Sequence, residues 1–503
     1  MSKLARSLSI NVQRLQARHR HLLALAGVLL IALFLRTYHL SWYPPGLYPD
    51  EAMNGNNALE AIRTGEFKVF YPENNGREGL FINIQALFLL AFSLREPWVL
   101  RLPSPIFGTL TVLGVYLLTR ELFGKKVALL AAFLLATSFW HLIFSRIGFR
   151  AITAPFYGAW GLWLLVVALR VKKYSRSLLL SLSAGLVLGL GFHSYIAFRV
   201  LPVLAVLLFL RAWLSRRREP EPDRRWPALA GVFLLGLIVS AAPLLIHFAR
   251  VPQDFFSRTA QLSLAASEHP WHDLLDNTVK TAKMFHFKGD ENWRHNFSGR
   301  PELPRLVGLF FLVGLALAVW RLREKTPGYW LCLAWLAVAA APVIVANGSV
   351  PHALRAILMI PPVFMLSACG GIFLYEKVRE RLQRRTALRW WQVCAAVLLC
   401  SLLIQVYQLY FHRWGPDRIT RYSFDEKYVN LGRRLLARPP EVKKYVLVCA
   451  PGVDVRGFPT ATQTVMFITD TFLPEQQREK NIYYVKQEET AKIPVDAELF
   501  MID

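Results

Sequence analysis

Residues 21–38, HLLALAGVLLIALFLRTY, are the first of a series of unbroken apolar runs, and a polar stretch that contains YPDEAMNGNNA at 48–58 follows them. Apolar runs of 17 to 24 residues recur along the chain, which is the length that a helix needs to cross a bilayer. The later runs lie at about 79–95, 99–119, 125–145, 152–171, 177–194, 198–214, 226–248, 304–322, 328–346, 352–375 and 389–410. The sequence therefore predicts an all-α polytopic membrane protein.

The composition narrows the class of protein further. Of the 503 residues 54% are hydrophobic, and the net charge is +25. The basic residues cluster in short loops between apolar runs, as topology signals do, so they do not indicate nucleic-acid binding. Four of the five cysteines lie inside apolar runs, and none has metal-ligand spacing. The cysteines therefore predict neither a disulfide framework nor a zinc site.

Loop charge predicts the orientation in the membrane. Residues 1–20 carry five Lys or Arg and no acid, which places them in the cytoplasm. Five later loops, 119–126, 170–176, 211–225, 321–326 and 376–389, hold 3, 4, 6, 3 and 6 basic residues and should lie on the same side. This requires that one run between 79 and 119 does not span.

The run at 79–95 is short and contains Asn83 and Gln85, so we expect it to lie in the membrane interface or to re-enter. The result is 11 membrane helices, with the N-terminus cytoplasmic and the C-terminus external. An integral protein of a prokaryotic inner membrane fits this pattern.

The same topology predicts three parts of the chain. A basic cytoplasmic segment, 1–20, precedes a transmembrane catalytic domain at 21–410, with external loops at 39–98 and 249–303. A small external α/β domain follows at 411–503, with an amphipathic helix at 426–437 and strands at 444–450 and 497–502.

Two adjacent carboxylates, Asp50 and Glu51, stand in the first external loop directly after Pro49. One interpretation is that they only favour the first turn of a helix. The other is chemical, because adjacent carboxylates at a membrane surface supply a general base, a ligand for a divalent metal, or both. The two interpretations are compatible, since a helix start also fixes the side chain that reacts.

Ionisable groups near a membrane are costly, so each one on the external side is a candidate for function. Arginines at several helix ends could converge on one phosphate-bearing substrate, because guanidinium binds phosphate oxygens in pairs. The alternative for each is a membrane-interface anchor. The candidate phosphate-binding residues are Arg77, Arg146, Arg150, Arg199 and Arg355; further substrate-site candidates are Tyr71, Glu78, His193, Tyr195 and His352.

Several motifs resemble one family. Asp-Glu-Ala follows the first apolar helix, and Phe70-Tyr71-Pro72, Gly76-Arg77-Glu78-Gly79 and Arg101-Leu102-Pro103-Ser104 come after it. HLIFSRIGFR and PHALRAILMIPP follow further on. Over about 20–375 the chain resembles the GT-C superfamily of membrane glycosyltransferases, in the branch of protein O-mannosyltransferases and the lipid A aminoarabinose transferase.

The resemblance implies a polyprenyl-phosphate-linked sugar as donor and transfer on the external face, in contact with membrane lipid. It implies that Asp50 activates the acceptor or lies beside a metal, with Glu51 as its neighbour, and that Arg77 lies near the donor phosphate. The acceptor is a protein, glycolipid or glycan. Some relatives carry a second acid in the next external loop, whereas residues 146–153 here have none. A metal such as Mg²⁺ or Mn²⁺ at Asp50 is therefore an open question.

Other functions are compatible with parts of the pattern. An oligosaccharide ligase or polymerase with a pyrophosphate-linked donor would use external arginines but leaves the Asp-Glu loop unexplained. A transporter or flippase of lipid-linked sugars predicts charges at mid-membrane and internal repeats, whereas the charges here lie at helix ends. A structural subunit of a membrane complex also leaves the two carboxylates unexplained.

Overall fold

The computed structural model describes residues 3–216, 225–261, 267–323 and 327–503, most of them in helices. The first ten helices are α1 (Lys3–Thr37), α2 (Pro49–Thr64), α3 (Gly79–Phe92), α4 (Pro97–Arg101), α5 (Pro103–Phe123), α6 (Lys125–Ala136), α7 (Phe139–Phe144), α8 (Thr153–Arg170), α9 (Tyr174–Leu190) and α10 (Pro202–Arg216). The others are α11 (Trp226–Arg250), α12 (Pro252–Gln261), α13 (Pro270–Lys283), α14 (Arg305–Trp320), α15 (Pro327–Ile344), α16 (Ile360–Arg381), α17 (Arg385–Tyr407), α18 (Arg418–Ser423), α19 (Glu426–Leu436), α20 (Thr462–Thr469) and α21 (Pro474–Glu479).

The strands are short and few. They are β1 (Phe70–Tyr71), β2 (Arg77–Glu78), β3 (Lys444–Val448), β4 (Asp454–Val455), β5 (Phe458–Pro459), β6 (Ile482–Lys486) and β7 (Glu498–Ile502). A π-helical turn, Gln408–Trp414, continues α17. Other helices are joined or extended by short 3₁₀ segments at Arg150–Ile152, Gly191–His193, Ile196–Val200, Arg355–Met359 and Gln487–Lys492.

Eight helical segments of the described chain are long and apolar enough to cross a membrane. They are His19–Thr37, Pro97–Phe123, Arg150–Arg170, Tyr174–His193, Ile196–Ser215, Trp226–Arg250, Arg355–Arg381 and Arg385–Trp414. α14 and most of α15 are apolar but shorter. The predicted fold class is confirmed, and the total of 11 membrane helices stays a prediction.

The outer surface of the bundle is apolar. On α11, Leu234, Leu235 and Val239 are each more than half exposed, and so are Trp390 and Val397 on α17. A row of exposed apolar side chains on a long helix is stable when lipid replaces water around it. The chain is therefore an integral membrane protein.

Inside the bundle, glycines bring helix backbones into contact. A Cβ at Gly314 of α14 would lie 1.9 Å from the carbonyl oxygen of Leu366, and one at Gly370 of α16 would lie 2.1 Å from that of Phe310. No side chain fits at such distances, so α14 and α16 pack backbone against backbone. Small residues at the crossing are the usual basis of helix association in membranes.

Two predicted segments differ from the structure. The run at 125–145 is not one helix but α6 and α7, separated by Thr137 and Ser138. The Ser138 hydroxyl accepts the backbone N–H of His141 at 3.2 Å and starts α7 anew. The run at 79–95 forms α3, which has 14 residues and a length of about 21 Å, too short to cross the hydrocarbon core. Its position relative to the bilayer stays a prediction.

The C-terminal part forms a small α/β unit. Its sheet has the order β6-β3-β7, and both neighbours run parallel to β3. α19 and the strands β3 and β7 agree with the predicted helix at 426–437 and strands at 444–450 and 497–502. β6 was missed. The predicted boundaries of the three parts of the chain stay predictions. Parts of the loops 211–225, 249–303 and 321–326 lie outside the described residues.

Candidate active site

α2 carries the two acids in its first turn. Pro49 occupies the first helical position, and Gly65, with φ of +74°, ends the helix. The carboxylate of Asp50 lies at the positive end of the helix dipole and keeps partial exposure. It is therefore both fixed and reachable.

A tight hairpin faces this helix start. β1 and β2 pair Phe70 with Glu78 and Tyr71 with Arg77. Asn74, Asn75 and Gly76 in the turn all have positive φ, a conformation that asparagine and glycine tolerate best. The turn directs the side-chain amide of Asn74 to Oδ1 of Asp50, at 2.9 Å.

The same hairpin places Arg77 beside α2. Arg77 is 3% exposed and donates through Nη1 to Asn54 at 2.7 Å and through Nη2 to Asn57 at 2.6 Å. Asn54 and Asn57 lie three residues apart and so share one face of the helix. Two neutral amide oxygens hold the guanidinium, and Oε2 of Glu73 lies 3.8 Å from Nη2.

Arg150 approaches from the loop after α7. Its Nε donates to Glu78 Oε2 at 2.6 Å, and its Nη2 is buried with no hydrogen-bond partner among the described residues. Asp50, Arg77 and Arg150 line one small cavity, together with Asn54, Asn74, Phe149, Ala151, Tyr195 and Leu354. Two cationic side chains thus share a cavity with one partly exposed carboxylate. Four predicted residues meet there: Asp50, Arg77, Arg150 and Tyr195.

Glu51 points away from this cavity and has no exposed surface. Its carboxylate accepts Nε and Nη2 of Arg101 at 2.9 and 3.0 Å and the backbone N–H of Gly148 at 2.7 Å. Arg101 in turn donates to the carbonyl oxygens of Pro44 and Gly46. Glu51 therefore joins α2, α4 and the loop that precedes Arg150, and its predicted catalytic role stays a prediction.

Arg146 is also outside the cavity, although a phosphate-binding role was predicted for it. It is fully buried, donates to the carbonyl oxygens of Leu35 and Tyr43 at 2.7 and 3.0 Å, and stacks on Tyr410 and Phe411. These contacts tie α1 to the end of α17. A phosphate could not reach the guanidinium without displacing them.

The remaining candidates are not among the residues that line this cavity. Arg199 stacks on Phe248 and Phe255, and His193 contacts the carbonyl oxygen of Ser240 at 3.0 Å. Tyr71 donates to Asn83 at 3.1 Å, and Glu78 pairs with Arg150. His352 and Arg355 flank Leu354, and the side chain of His352 turns toward Asp290.

Comparison with known proteins identifies the fold. Residues 80–247 match the family described as dolichyl-phosphate-mannose-protein mannosyltransferase. ArnT of Cupriavidus metallidurans, solved bound to undecaprenyl phosphate, superposes with a TM-score of 0.58 at 13% identity over 95% of this chain and 89% of that one. The chain has the GT-C fold.

An archaeal oligosaccharyltransferase shares this GT-C fold. The Archaeoglobus fulgidus enzyme in its apo form superposes with a TM-score of 0.56 at 14% identity over 94% of this chain. The same enzyme, solved with an inhibitory peptide and a dolichol-phosphate, superposes with a TM-score of 0.55 at 16% identity over 90% of this chain. The chain spans 65% and 64% of the length of these two structures. No curated protein matches it in sequence.

The C-terminal unit also reaches the site. Arg456 donates to both oxygens of Glu60 at 2.9 Å and to Glu73 at 2.7 Å. Burial raises the pKa of Glu73, but the hydrogen bonds and charge of Arg456 outweigh it and hold that pKa below its usual value. Glu73 precedes Asn74, so Arg456 braces the turn that contacts Asp50. No local sequence signal predicted this contact.

Two other residues were missed as members of the site. Asn54 and Asn74 line the cavity, and both lie in Asn- and Gly-rich stretches that flank the acids. An asparagine pair three residues apart in a helix that also carries two acids is the signal that could have found Asn54.

A metal at Asp50 stays a prediction. Within the described ranges, the one group of three close His, Cys, Asp or Glu side chains with metal-ligand geometry does not contain Asp50. The polar neighbours of Asp50 in its cavity are amides and arginines, which are not the carboxylate set that Mg²⁺ or Mn²⁺ prefers. The residues present therefore do not fit such an ion held by protein ligands alone.

Proposed function

We propose that this protein is a membrane glycosyltransferase that moves a monosaccharide from a polyprenyl-phosphate-linked donor to an acceptor. The observation that carries the proposal is the shared cavity of Asp50, Arg77 and Arg150. The GT-C fold supports it, as do the lipid phosphates bound by ArnT and the archaeal oligosaccharyltransferase. The acceptor group is a hydroxyl, an amine or a phosphate on a protein, glycolipid or glycan.

Asp50 acts as the general base with a hydroxyl acceptor. The acceptor O–H gives its proton to the Asp50 carboxylate while the oxygen forms a bond to C1 of the sugar. The bond between C1 and the phosphate oxygen breaks, and polyprenyl phosphate leaves with the electron pair. Asn74 holds Oδ1 of Asp50, which leaves Oδ2 for the acceptor.

Arg77 and Arg150 stabilise the leaving group. A phosphate that leaves needs fixed positive partners more than it needs an acid, because its charge grows in the transition state. Arg150 Nη2 is suited to this, since its other contact, through Nε to Glu78, orients the guanidinium without using that atom. Asn54 and Asn57 fix the Arg77 guanidinium at the cavity wall, where its positive charge can meet the donor phosphate.

The lipid part of the donor would lie along α3. Leu87, Leu90 and Phe92 of this helix are about half exposed, and its other face packs on α2. A short apolar helix at the interface provides a surface for a polyprenyl chain next to the catalytic cavity.

We place the cavity on the external face of the membrane. The basic loops contact one another at the opposite end of the bundle: Lys126 pairs with Glu376 at 2.6 Å, Arg170 with Glu121 at 3.8 Å, and Arg225 donates to the carbonyl oxygen of Lys172 at 2.9 Å. Clustered positive charge marks the cytoplasmic end. The loops at 148–151, 195 and 354, which line the cavity, belong to the other end.

The deciding experiment is Asp50→Asn in purified protein with a labelled polyprenyl-phosphate sugar. We expect the rate of sugar transfer and of polyprenyl phosphate release to fall by about 10²- to 10⁴-fold, with an unchanged melting temperature. Asp276→Asn, at an exposed position on α13, is the matched control and should keep full activity. Transfer by Asp50→Asn within a few-fold of wild type would remove Asp50 from the base role. Movement of intact donor without release would favour a transporter.

A further inference from the structure

Three buried side chains converge away from the catalytic cavity. Asp290 and His295 lie in the segment between α13 and α14, and His352 lies between α15 and α16. Oδ2 of Asp290 is 3.2 Å from Nδ1 of His295 and 3.9 Å from Nδ1 of His352. The side chains are 3%, 7% and 14% exposed, so they face one another rather than solvent.

We propose that Asp290, His295 and His352 bind a divalent transition-metal ion of the Zn²⁺ type. One carboxylate and two imidazoles are a donor set that such ions favour over Mg²⁺ or Ca²⁺. Ligand atoms around tetrahedral Zn²⁺ lie about 3.3 Å apart, given Zn–N and Zn–O bonds of about 2.0 to 2.1 Å. The potential ligand atoms here all lie within 4.8 Å of one another, so a closer approach of His352 to Asp290 would bring three ligands to such distances.

The charges around the cluster favour a cation. Glu302, also 3% exposed, lies beside Asp290 and accepts its backbone N–H through Oε1 at 3.2 Å. Its Oε2 is buried without a hydrogen-bond partner among the described residues. A buried carboxyl oxygen without a partner is costly, so a cation bound beside Asp290 would also compensate Glu302.

The surroundings also hold the ligands in place. Oδ2 of Asp290 accepts the backbone N–H of Ala353 and Oδ1 accepts that of Asn292, both at 2.8 Å. Hydrogen bonds of this kind orient a metal-binding carboxylate. The same contacts would serve a hydrogen-bonded clamp without metal, which is the alternative that the experiment must separate.

The site would fix one wall of the catalytic cavity. Ala353 is held on one side by Asp290 and on the other by the indole N–H of Trp140, which donates to its carbonyl oxygen at 3.0 Å. The next residue, Leu354, lines the cavity that contains Asp50. The ion would therefore act through structure, without touching the reacting atoms.

Metal content is the test. The full-length protein, purified with a tag that contains no histidine, is analysed by elemental mass spectrometry and then stripped and titrated with Zn²⁺ or Co²⁺. We expect about one Zn²⁺ per chain, and bound Co²⁺ with the visible absorption of a protein-ligated site. Asp290→Asn and His352→Asn should lose both signals. His272→Asn, with an 81% exposed side chain, is the control and should keep them.

Folding is checked separately, because a variant that unfolds would also lose metal. In stripped wild-type protein, Zn²⁺ should raise the melting temperature, and it should leave that of folded Asp290→Asn unchanged. Stripped wild-type protein that binds no stoichiometric metal and shows no shift would overturn the proposal and leave a hydrogen-bonded clamp. These readouts use no sugar transfer, so they stand or fall independently of the role of Asp50.

Discussion

Arg101 donates hydrogen bonds to both carboxylate oxygens of Glu51, through Nε at 2.9 Å and Nη2 at 3.0 Å, and neither side chain is more than 1% exposed. The adjacent acid, Asp50, faces a cavity instead. Successive helical residues point about 100° apart, so two neighbouring carboxylates in one helical turn can serve opposite purposes. Glu51 is tied into the scaffold, and Asp50 lines the cavity in which we propose that the substrate binds.

Glu51→Gln should destabilise the protein strongly. The substitution keeps the shape but leaves the Arg101 guanidinium buried without its counter-charge, which costs about 3 to 5 kcal/mol in comparable pairs. We expect a clearly lower melting temperature and a reduced yield of monodisperse protein. Asp50→Asn, one residue away, should melt like wild type, and equal destabilisation by both variants would contradict the division of roles.

Arg150 and Arg146, which look alike in sequence, should respond differently to substitution by lysine. Arg150→Lys keeps a charge near Glu78 but removes the second guanidinium nitrogen, so we expect kcat to fall about ten- to a hundredfold while the melting temperature changes little. Arg146→Lys offers one nitrogen where Arg146 uses two, and it loses the planar group that stacks on Tyr410 and Phe411, so it should lower the melting temperature instead.

The comparison is made on activity per folded molecule after size-exclusion chromatography. A large loss of kcat in folded Arg146→Lys would show that this residue reaches the donor after all.

Asn74 should matter through its hydrogen bond to Asp50. Asn74→Gly preserves the positive φ of the turn and removes only the amide, so the carboxylate loses its orienting donor. Loss of one such bond corresponds to roughly a tenfold lower kcat with an unchanged melting temperature. Asn75→Gly, at the neighbouring left-handed position, tests whether loosening the turn alone gives the same loss.

Arg456 should influence catalysis from the C-terminal unit. Arg456→Gln breaks the links to Glu60 and Glu73, so the turn that carries Asn74 loses its brace. We expect a few-fold lower kcat and faster proteolysis between α2 and α3, because a partly exposed ion network contributes modestly. Arg438→Gln removes a more exposed ion pair, with Glu498, in the same C-terminal unit and serves as the control. Identical kinetics in the two variants would argue against the coupling.

Asp425 should make stability depend on pH. Burial raises its pKa from 3.8 to about 6, although Arg294 and Lys427 oppose the rise. Between these values the folded state keeps a proton that the unfolded state releases, so stability contributed by this group is present at low pH and is lost as pH rises through about 6.

Asp425→Asn cannot ionise. Its melting temperature relative to wild type should therefore be higher at about pH 7 than at about pH 4, by a few degrees. A difference that stays constant across this range would show that Asp425 does not titrate in the folded protein.

The sequence by itself determined the membrane helices, the C-terminal helix and two of its strands, and the position of the acids at the start of α2. These features depend on the length of apolar runs, on periodicity and on residues next to one another in the chain. It also marked Arg77 and Arg150 as candidates, but it could not separate them from Arg146 and Arg199.

Only the tertiary structure decided which charged groups line the cavity and which are held in ion pairs and hydrogen bonds within the scaffold. Four contacts join segments that are distant in the sequence: Glu51 with Arg101, Asp50 with Asn74, Arg456 with Glu73, and Asp290 with His352. The exposure and partners of a side chain depend on packing around it, and that packing is set by helices whose relative positions no local pattern encodes.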